Sequence, residues 1–202
     1  MKKLPIQFYN RADVVLIARE LIGKIIVTSF ENKITSAKIV ETEAYIGLID
    51  GASHAYAGKR TARNEHMYAA AGTSYVYICY GMHHLFNVIT NLKNIPDAVL
   101  IKAAEPITGI DIMLARTGKI KSDNSLTKGP GNVAKALGIT KNNSGINLLD
   151  DEIYLADDGF IFDDKLIGIS KRIGIDGSGD AVLLPYRFYV KGNRCVSSYP
   201  NK

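Results

Sequence analysis

Hydrophobic residues follow helical spacing in only a few short stretches of the chain. In ADVVLIARELIGK, residues 12–24, the apolar side chains recur at helical intervals, and Gly23 is a typical helix stop. GIDIMLART and GNVAKALGI, at 109–117 and 131–139, are interpreted as two more short helices. Helices therefore account for a small part of the predicted fold.

Most other apolar segments are short, rich in β-branched residues and bounded by turn residues, which is typical of strands. IIVTSF and SAKIVETEAY, joined across ENK, predict an adjacent pair. Further candidates lie at 73–80, 85–90, 98–106, 165–175 and 185–192. Since no regular βαβ alternation occurs, we expect one α+β domain over residues 1–202. It should contain a largely antiparallel curved sheet, short helices and a protruding β-hairpin.

Composition and charge narrow the class of protein. An apolar share of 47% and a charged share of 22% are typical of a globular chain. The net charge of +5 mildly favours an anionic partner. The two cysteines, Cys79 and Cys195, cannot form a disulfide framework, and neither a signal peptide nor a membrane span is evident. We expect a cytoplasmic monomer.

The predicted strand over residues 37–45 gathers two carboxylates on one face. In an extended chain Glu41, Glu43 and Tyr45 point the same way. Spacing alone leaves two interpretations open. The face is either a solvated surface with ordinary glutamates, or the edge of a pocket where one carboxylate acts as a general base.

The segment TSYVYICYGMHHLFN, residues 73–87, repeats this pattern with aromatic rings. Tyr75 and Tyr77 alternate onto one face, and Tyr80 falls at the Gly81 turn of a predicted hairpin. The rings are either ordinary strand aromatics with a turn tyrosine, or a stacking platform for bases with an exposed wedge.

Six motifs together resemble the alkyladenine (3-methyladenine) DNA glycosylase family. The resemblance runs from residue 6 to residue 193 and is densest over 39–106. The motifs are VETEAY, SHA at 53–55, GKRTARNEHMY, GTSYVYICYGMHHLFN, VLIKAAEP and KGPGNVAKALGI. Each alone is weak evidence, but their order and spacing are specific.

The resemblance implies a monofunctional glycosylase that acts on double-stranded DNA. Such enzymes flip damaged purines, alkylated or deaminated, out of the duplex and hydrolyse the N-glycosidic bond, which leaves an abasic site for base excision repair. By this resemblance Glu43 is the general base that activates water, and Lys102 helps to hold that water. Glu41 is expected to be structural. No cofactor is expected.

The resemblance also assigns a base pocket and a wedge. Tyr45, His54 and Tyr77 would sandwich the flipped base, and Asn87 would exclude the exocyclic amine of normal guanine. Alternatively, His54 is a structural histidine and Asn87 a turn or ladder residue. At the hairpin tip Tyr80 would fill the gap in the duplex, with Met82 as its support; these two are the DNA-intercalating residues.

Four basic residues are candidates for contacts with the DNA backbone. They are Lys59, Arg60, Arg63 and Lys128. A solvated, noncontacting face is an equally open interpretation for these residues. KGPGNVAKALGI superficially resembles a helix-hairpin-helix motif, but the chain is rich in strands, so we interpret it as a helix N-terminus that meets a phosphate.

Two positions depart from the pattern of the resembled family. Lys102 stands where arginine is common, and lysine offers a point charge in place of a planar fork. Asn132 stands where lysine is common, so one phosphate contact is expected to be weaker. The preferred lesion stays open among 3-methyladenine, 7-methylguanine, hypoxanthine and ethenoadenine.

Other classes of protein fit the sequence less well. Neither the paired histidine and cysteine motifs of a zinc deaminase nor H-E-x-x-H occurs, so no metal is expected. The alternative function is a noncatalytic nucleic-acid-binding module. Glu43 argues against it, because a pure binder gains nothing from a carboxylate that faces phosphates.

Overall fold

The computed structural model describes residues 1–199, which form four short helices and one sheet. The helices are α1 (Ile6–Tyr9), α2 (Val14–Glu20), α3 (Ile110–Thr117) and α4 (Pro130–Leu137). The strands are β1 (Lys2–Lys3), β2 (Ile25–Phe30), β3 (Lys33–Tyr45), β4 (Ser74–Cys79), β5 (His83–Thr90), β6 (Asp97–Thr108), β7 (Ile153–Asp157), β8 (Ile167–Ser170) and β9 (Arg187–Val190). Short 3₁₀ turns lie at Tyr56–Gly58, Glu65–Tyr68, Lys141–Asn143, Asp164–Leu166 and Gly179–Leu183.

All strand pairs in the sheet are antiparallel, so the predicted α+β class with a largely antiparallel sheet is confirmed. The order is β1-β7-β2-β3-β6-β5-β4, and β9 pairs with both β3 and β8. The three predicted helices and the predicted strands are present, but the candidate at 165–175 is a strand only over Ile167–Ser170. The sequence interpretation missed α1, β1 and β7, and the five residues of β7 stand between runs of acidic turn residues.

Helix α2 shows how the local sequence fixes an element against the sheet. The Asp13 side chain accepts a hydrogen bond from the Leu16 amide at 2.8 Å and caps the helix start. Gly23 has a φ of 90°, which ends the helical segment as predicted. The Thr42 hydroxyl of β3 donates to the Ala18 carbonyl at 2.7 Å. None of the helices in the described residues is long and apolar enough to cross a bilayer.

Strand β3 is central, because β6 pairs with it along one edge while β2 and then β9 pair along the other. Its pairing with β6 is irregular close to Glu43 and Lys102. Glu41 lies opposite Ala103. The next residue, Thr42, lies opposite Ile101, so Lys102 is the extra residue of a β-bulge. A bulge bends a strand and re-aims the side chain that it carries.

Three ion pairs with buried side chains surround this central strand. They are Glu43 with Lys102, Asp50 with Arg172 and Glu41 with Arg187. Glu41 also accepts hydrogen bonds from the Ser197 amide and hydroxyl, at 2.7 and 2.8 Å. Glu41 therefore fastens the C-terminal segment to β3, which supports the structural role expected for it.

Candidate active site

The β4–β5 hairpin carries an exposed tyrosine at its tip. Tyr80 and Gly81 both have positive φ, 50° and 72°, and the Met82 amide donates to the Cys79 carbonyl at 3.2 Å. Positive φ at both central residues matches the twist of paired strands but is strained for a bulky residue. The Tyr80 side chain is 87% exposed and Met82 is 71% exposed. The backbone at Tyr80 is strained and its ring is exposed, so the ring is suited to contact with a partner.

A cavity of about 450 Å³ opens between this hairpin, the C-terminal part of β3 and the segment 173–178. It brings together eight of the residues that the sequence singled out: Glu43, Tyr45, His54, Arg63, Tyr77, Tyr80, Asn87 and Lys102. Its volume lies in the range of ordinary small-molecule sites. The cavity therefore joins the two sequence patterns, carboxylate and rings, in one place.

Glu43 is fully buried at the cavity wall and is held by three donors. The Tyr45 hydroxyl donates to Oε2 at 2.9 Å. The Ile173 amide donates to Oε1 at 2.9 Å, and the Lys102 ammonium donates to the same oxygen. A carboxylate offers about four acceptor positions, so Oε2 keeps one for a water molecule. Glu41 and Glu43 are both buried, so the interpretation of this strand face as a solvated surface is wrong.

Lys102 contacts the carboxylate directly. Its side chain is buried, and Nζ also donates to the Ile173 carbonyl at 2.9 Å. The backbone of Ile173 thus binds both members of the pair, through its N–H and its C=O. Sequence reasoning missed Ile173, since a backbone group leaves no signal in residue type.

Three rings form one wall of the cavity. The centroids of His54 and Tyr77 lie 4.5 Å apart, and those of Tyr75 and Tyr77 lie 5.6 Å apart. Tyr75 is buried and its hydroxyl lies 2.9 Å from Nδ1 of His54. The alternation onto one face is confirmed, whereas the role of Tyr75 as the anchor of His54 was missed. The period-two spacing of Tyr75 and Tyr77 was the sequence feature that could have placed Tyr75 at this site.

Electrostatics at the cavity favour the neutral forms of the rings that line it. Burial lowers the pKa of His54, and the positive charges of Arg63 and Lys59 lower it further. Burial also raises the pKa of Tyr75 to about 12. Burial and the Glu43 charge raise the pKa of Tyr45 well above its ordinary range, so its hydroxyl stays a donor.

Asn87 lies within the sheet and faces the cavity. It is 4% exposed, and Nδ2 donates to the carbonyls of Tyr75 and Leu85 at 3.1 and 3.3 Å. These two bonds fix the plane of the amide. Asn87 is therefore both a ladder residue and part of the cavity lining, so the two interpretations of it are compatible.

The four candidate backbone-contact residues differ in their surroundings. Lys59 and Lys128 are exposed. Arg63 is exposed at the cavity mouth, with its guanidinium 5.9 Å from the centroid of Tyr77. Arg60 is also exposed but donates to both carboxylate oxygens of Glu65, at 2.9 and 2.5 Å. A phosphate contact by Arg60 would have to replace that pairing.

The second departure, Asn132, lies in the first turn of α4. Its Nδ2 donates to the carbonyls of Ser125 and Lys128, at 3.2 and 2.8 Å. The side chain therefore holds the loop that carries Lys128. Pro130, at the start of α4, lines the cavity. Within residues 1–199 no three His, Cys, Asp or Glu side chains are grouped as metal ligands.

An antiparallel α+β chain with a ring-lined cavity and a buried carboxylate fits the class of DNA glycosylases. The sequence model of methylpurine-DNA glycosylase matches residues 7–194. The chain belongs to the methylpurine-DNA glycosylase family.

Curated relatives match nearly the whole chain. One from Clostridium perfringens strain 13 is 46% identical over 198 residues, which are 94% of this chain and 96% of the relative. One from Desulfitobacterium hafniense is 44% identical and covers 98% of this chain and 99% of its own. One from Chlamydia felis is 43% identical over 189 residues, which are 92% of this chain and 94% of the relative. Each carries the name "Putative 3-methyladenine DNA glycosylase".

Proposed function

We propose that this chain is a monofunctional 3-methyladenine DNA glycosylase that acts on double-stranded DNA. It flips an alkylated or deaminated purine into the cavity and hydrolyses the bond between base and sugar, which leaves an abasic site. The observation that carries the proposal is the buried Glu43 carboxylate, fixed by three donors at the end of the ring-lined cavity.

The cavity suits a flat and positively charged ring. Tyr45, His54 and Tyr77 offer ring surfaces, and stacking accepts many purines. Alkylation at a ring nitrogen makes a purine cationic, and aromatic faces attract cations. A neutral His54 does not repel such a base, as a protonated one would. These properties support a broad specificity for alkylated purines.

Glu43 acts on the attacking water. The remaining acceptor position of Oε2 binds the water, and the carboxylate takes its proton as oxygen attacks the sugar C1′. The negative charge also stabilises the oxocarbenium character of the transition state. An alkylated purine leaves as a neutral base, so no second carboxylate is needed. Lys102 is the cation beside the carboxylate, and it orients Glu43.

The hairpin tip and the basic residues bind the duplex. Tyr80 enters the gap left by the flipped nucleotide, with Met82 beside it, and stacking offsets part of the unstacking cost. Lys59, Arg63 and Lys128 contact phosphates. Arg60 contacts a phosphate only if its hydrogen bonds to Glu65 break. All of these groups come from one chain, which supports action as a monomer.

The proposal is tested by base release from four duplexes that differ only in one lesion. They contain 3-methyladenine, 7-methylguanine, hypoxanthine or ethenoadenine, and alkali cleaves the strand wherever an abasic site has formed. We expect lesion-dependent cleavage by the wild-type protein. Binding without release from any duplex would contradict the proposal and favour a noncatalytic nucleic-acid-binding module.

A further inference from the structure

The Ile173 backbone links the two charged groups of the site, yet no helix or strand fixes the segment that carries it. Its N–H lies 2.9 Å from Oε1 of Glu43, and its C=O lies 2.9 Å from Nζ of Lys102. Residues 171–178 form neither helix nor strand, and Ile173 is 39% exposed. Side-chain contacts must therefore determine where this backbone lies.

The preceding residue, Arg172, is a buried anchor. It is 4% exposed, and its guanidinium is paired with both carboxylate oxygens of Asp50. It also donates to the Ala44 carbonyl at 2.8 Å and to the Ala181 carbonyl at 3.2 Å. One planar side chain thus joins the end of β3, the loop after it and the 3₁₀ turn at Gly179–Leu183. Lysine cannot make this set of contacts.

The same guanidinium supports the other donor to the carboxylate. Its Cζ lies 4.6 Å from the centroid of Tyr45, whose hydroxyl donates to Glu43. Arg172 does not line the cavity. Arg172 therefore affects the position of Glu43 only indirectly, through the Ile173 backbone and through the Tyr45 ring.

We propose that Arg172, held by Asp50, is a positioning residue that fixes the Ile173 peptide and the Tyr45 ring, and thereby the Glu43–Lys102 pair. The proposal deepens the proposed glycosylase function and rests on it for its effect on rate. Misplacement of a reacting group by about 1 Å can cost about 100-fold in rate. We expect Arg172→Gln to lower the single-turnover excision rate by about 10- to 100-fold, with lesion binding nearly unchanged.

The chain supplies a matched control in Arg187. This arginine also forms a buried ion pair at β3, with Glu41 at 2.7 Å, and neither partner lines the cavity. Arg187→Gln should lower thermal stability as Arg172→Gln does. At a temperature where both variants are folded, it should keep the wild-type excision rate.

Two readouts separate positioning from general stability. One is single-turnover excision at saturating enzyme, together with the Kd for the lesion duplex. The other is hydrogen exchange of the Ile173 amide, which the bond to Glu43 protects in the wild type. We expect faster exchange and slower excision in Arg172→Gln and not in Arg187→Gln. Arg172→Lys should restore stability more than rate.

Equal rate losses in both variants, or unchanged exchange at Ile173 in Arg172→Gln, would overturn the proposal. If Arg172→Gln does not fold, Asp50→Asn replaces it, since the arginine keeps its bonds to the Ala44 and Ala181 carbonyls. A wild-type protein that releases no base would contradict the proposed function alone. The Ile173 exchange rate would then still decide whether Arg172 positions the peptide.

Discussion

The Tyr45 hydroxyl lies 2.9 Å from Oε2 of Glu43, so one side chain serves both the ring surface and the carboxylate of the site. This contact joins the two features that the sequence presents separately. It also limits the rotation of Glu43, whose other oxygen is bound by Lys102 and by Ile173. A group held in this way needs little reorganisation when charge develops beside it.

Glu43→Gln should keep lesion binding and lose nearly all excision. The amide has a similar shape but cannot accept the proton from water, and general-base catalysis contributes about 10²–10⁴-fold. Single-turnover kinetics and a lesion-duplex Kd measure the two effects. Wild-type single-turnover excision in this variant would exclude Glu43 as the base.

Glu41→Gln is the control for this change on the same strand face. Glu41 is also fully buried, but its partners are Arg187 and Ser197. Removing its charge leaves Arg187 less well compensated, which destabilises a buried pair. The Tm should fall, while excision by the folded protein changes far less than in Glu43→Gln.

Tyr80→Ala should weaken binding to a lesion duplex much more than binding to undamaged DNA. The ring is 87% exposed, so its removal costs little in folding. Without a wedge, the unstacking cost of a few kcal/mol is less well offset. Salt concentration must be fixed, because phosphate contacts depend on it. Equal losses for both duplexes would make Tyr80 a general contact.

Asn87→Ala or Asn87→Ser should raise excision of undamaged guanine relative to hypoxanthine. Two hydrogen bonds hold the amide plane at the cavity wall, and a smaller side chain opens room for a 2-amino group. Loss of the amide also costs about 1 kcal/mol of stability per hydrogen bond. Competition between the two bases in matched duplexes measures the ratio, and an unchanged ratio would remove Asn87 from the gate role.

His54 should make the protein less stable as the pH falls below neutrality. Its folded-state pKa lies below the ordinary value of 6.5, chiefly because of burial. The unfolded chain therefore binds the proton first, and stability declines as the pH drops from 6.5 towards the lowered folded-state pKa. The Tm of wild type and His54→Asn, compared between about pH 8 and about pH 5, isolates this contribution. Parallel curves would contradict it.

Local patterns predicted most of the elements and two shared strand faces, whereas His54, Asn87 and Lys102 were assigned only through the resemblance to a family. Period-two spacing indicated the shared face of Glu41 and Glu43 and that of Tyr75 and Tyr77, because strand geometry alone fixes both. The contacts around Glu43 depend instead on the whole fold. Residue 173 lies 130 positions from Glu43 along the chain and contributes a backbone amide. No local pattern indicates such a contact.

Lys102 raises the question of whether this enzyme cleaves the strand as well as the glycosidic bond. An amine near C1′ can form a Schiff base with the sugar, but only as a neutral nucleophile. Here Nζ forms a buried ion pair with the Glu43 carboxylate and also donates to the Ile173 carbonyl, and the ammonium of such a pair has no lone pair for attack. We therefore expect water to attack and an intact abasic site to remain.

Borohydride trapping during turnover tests this expectation, with Lys102→Arg as the matched variant. No covalent protein–DNA adduct should form with the wild type, and Lys102→Arg should retain excision, because the guanidinium keeps a cation beside the carboxylate. Lys102→Met should lose more activity than Lys102→Arg, since it leaves Glu43 buried without its ion-pair partner. An adduct that disappears in Lys102→Arg would show instead that Lys102 is the nucleophile and that the enzyme is bifunctional.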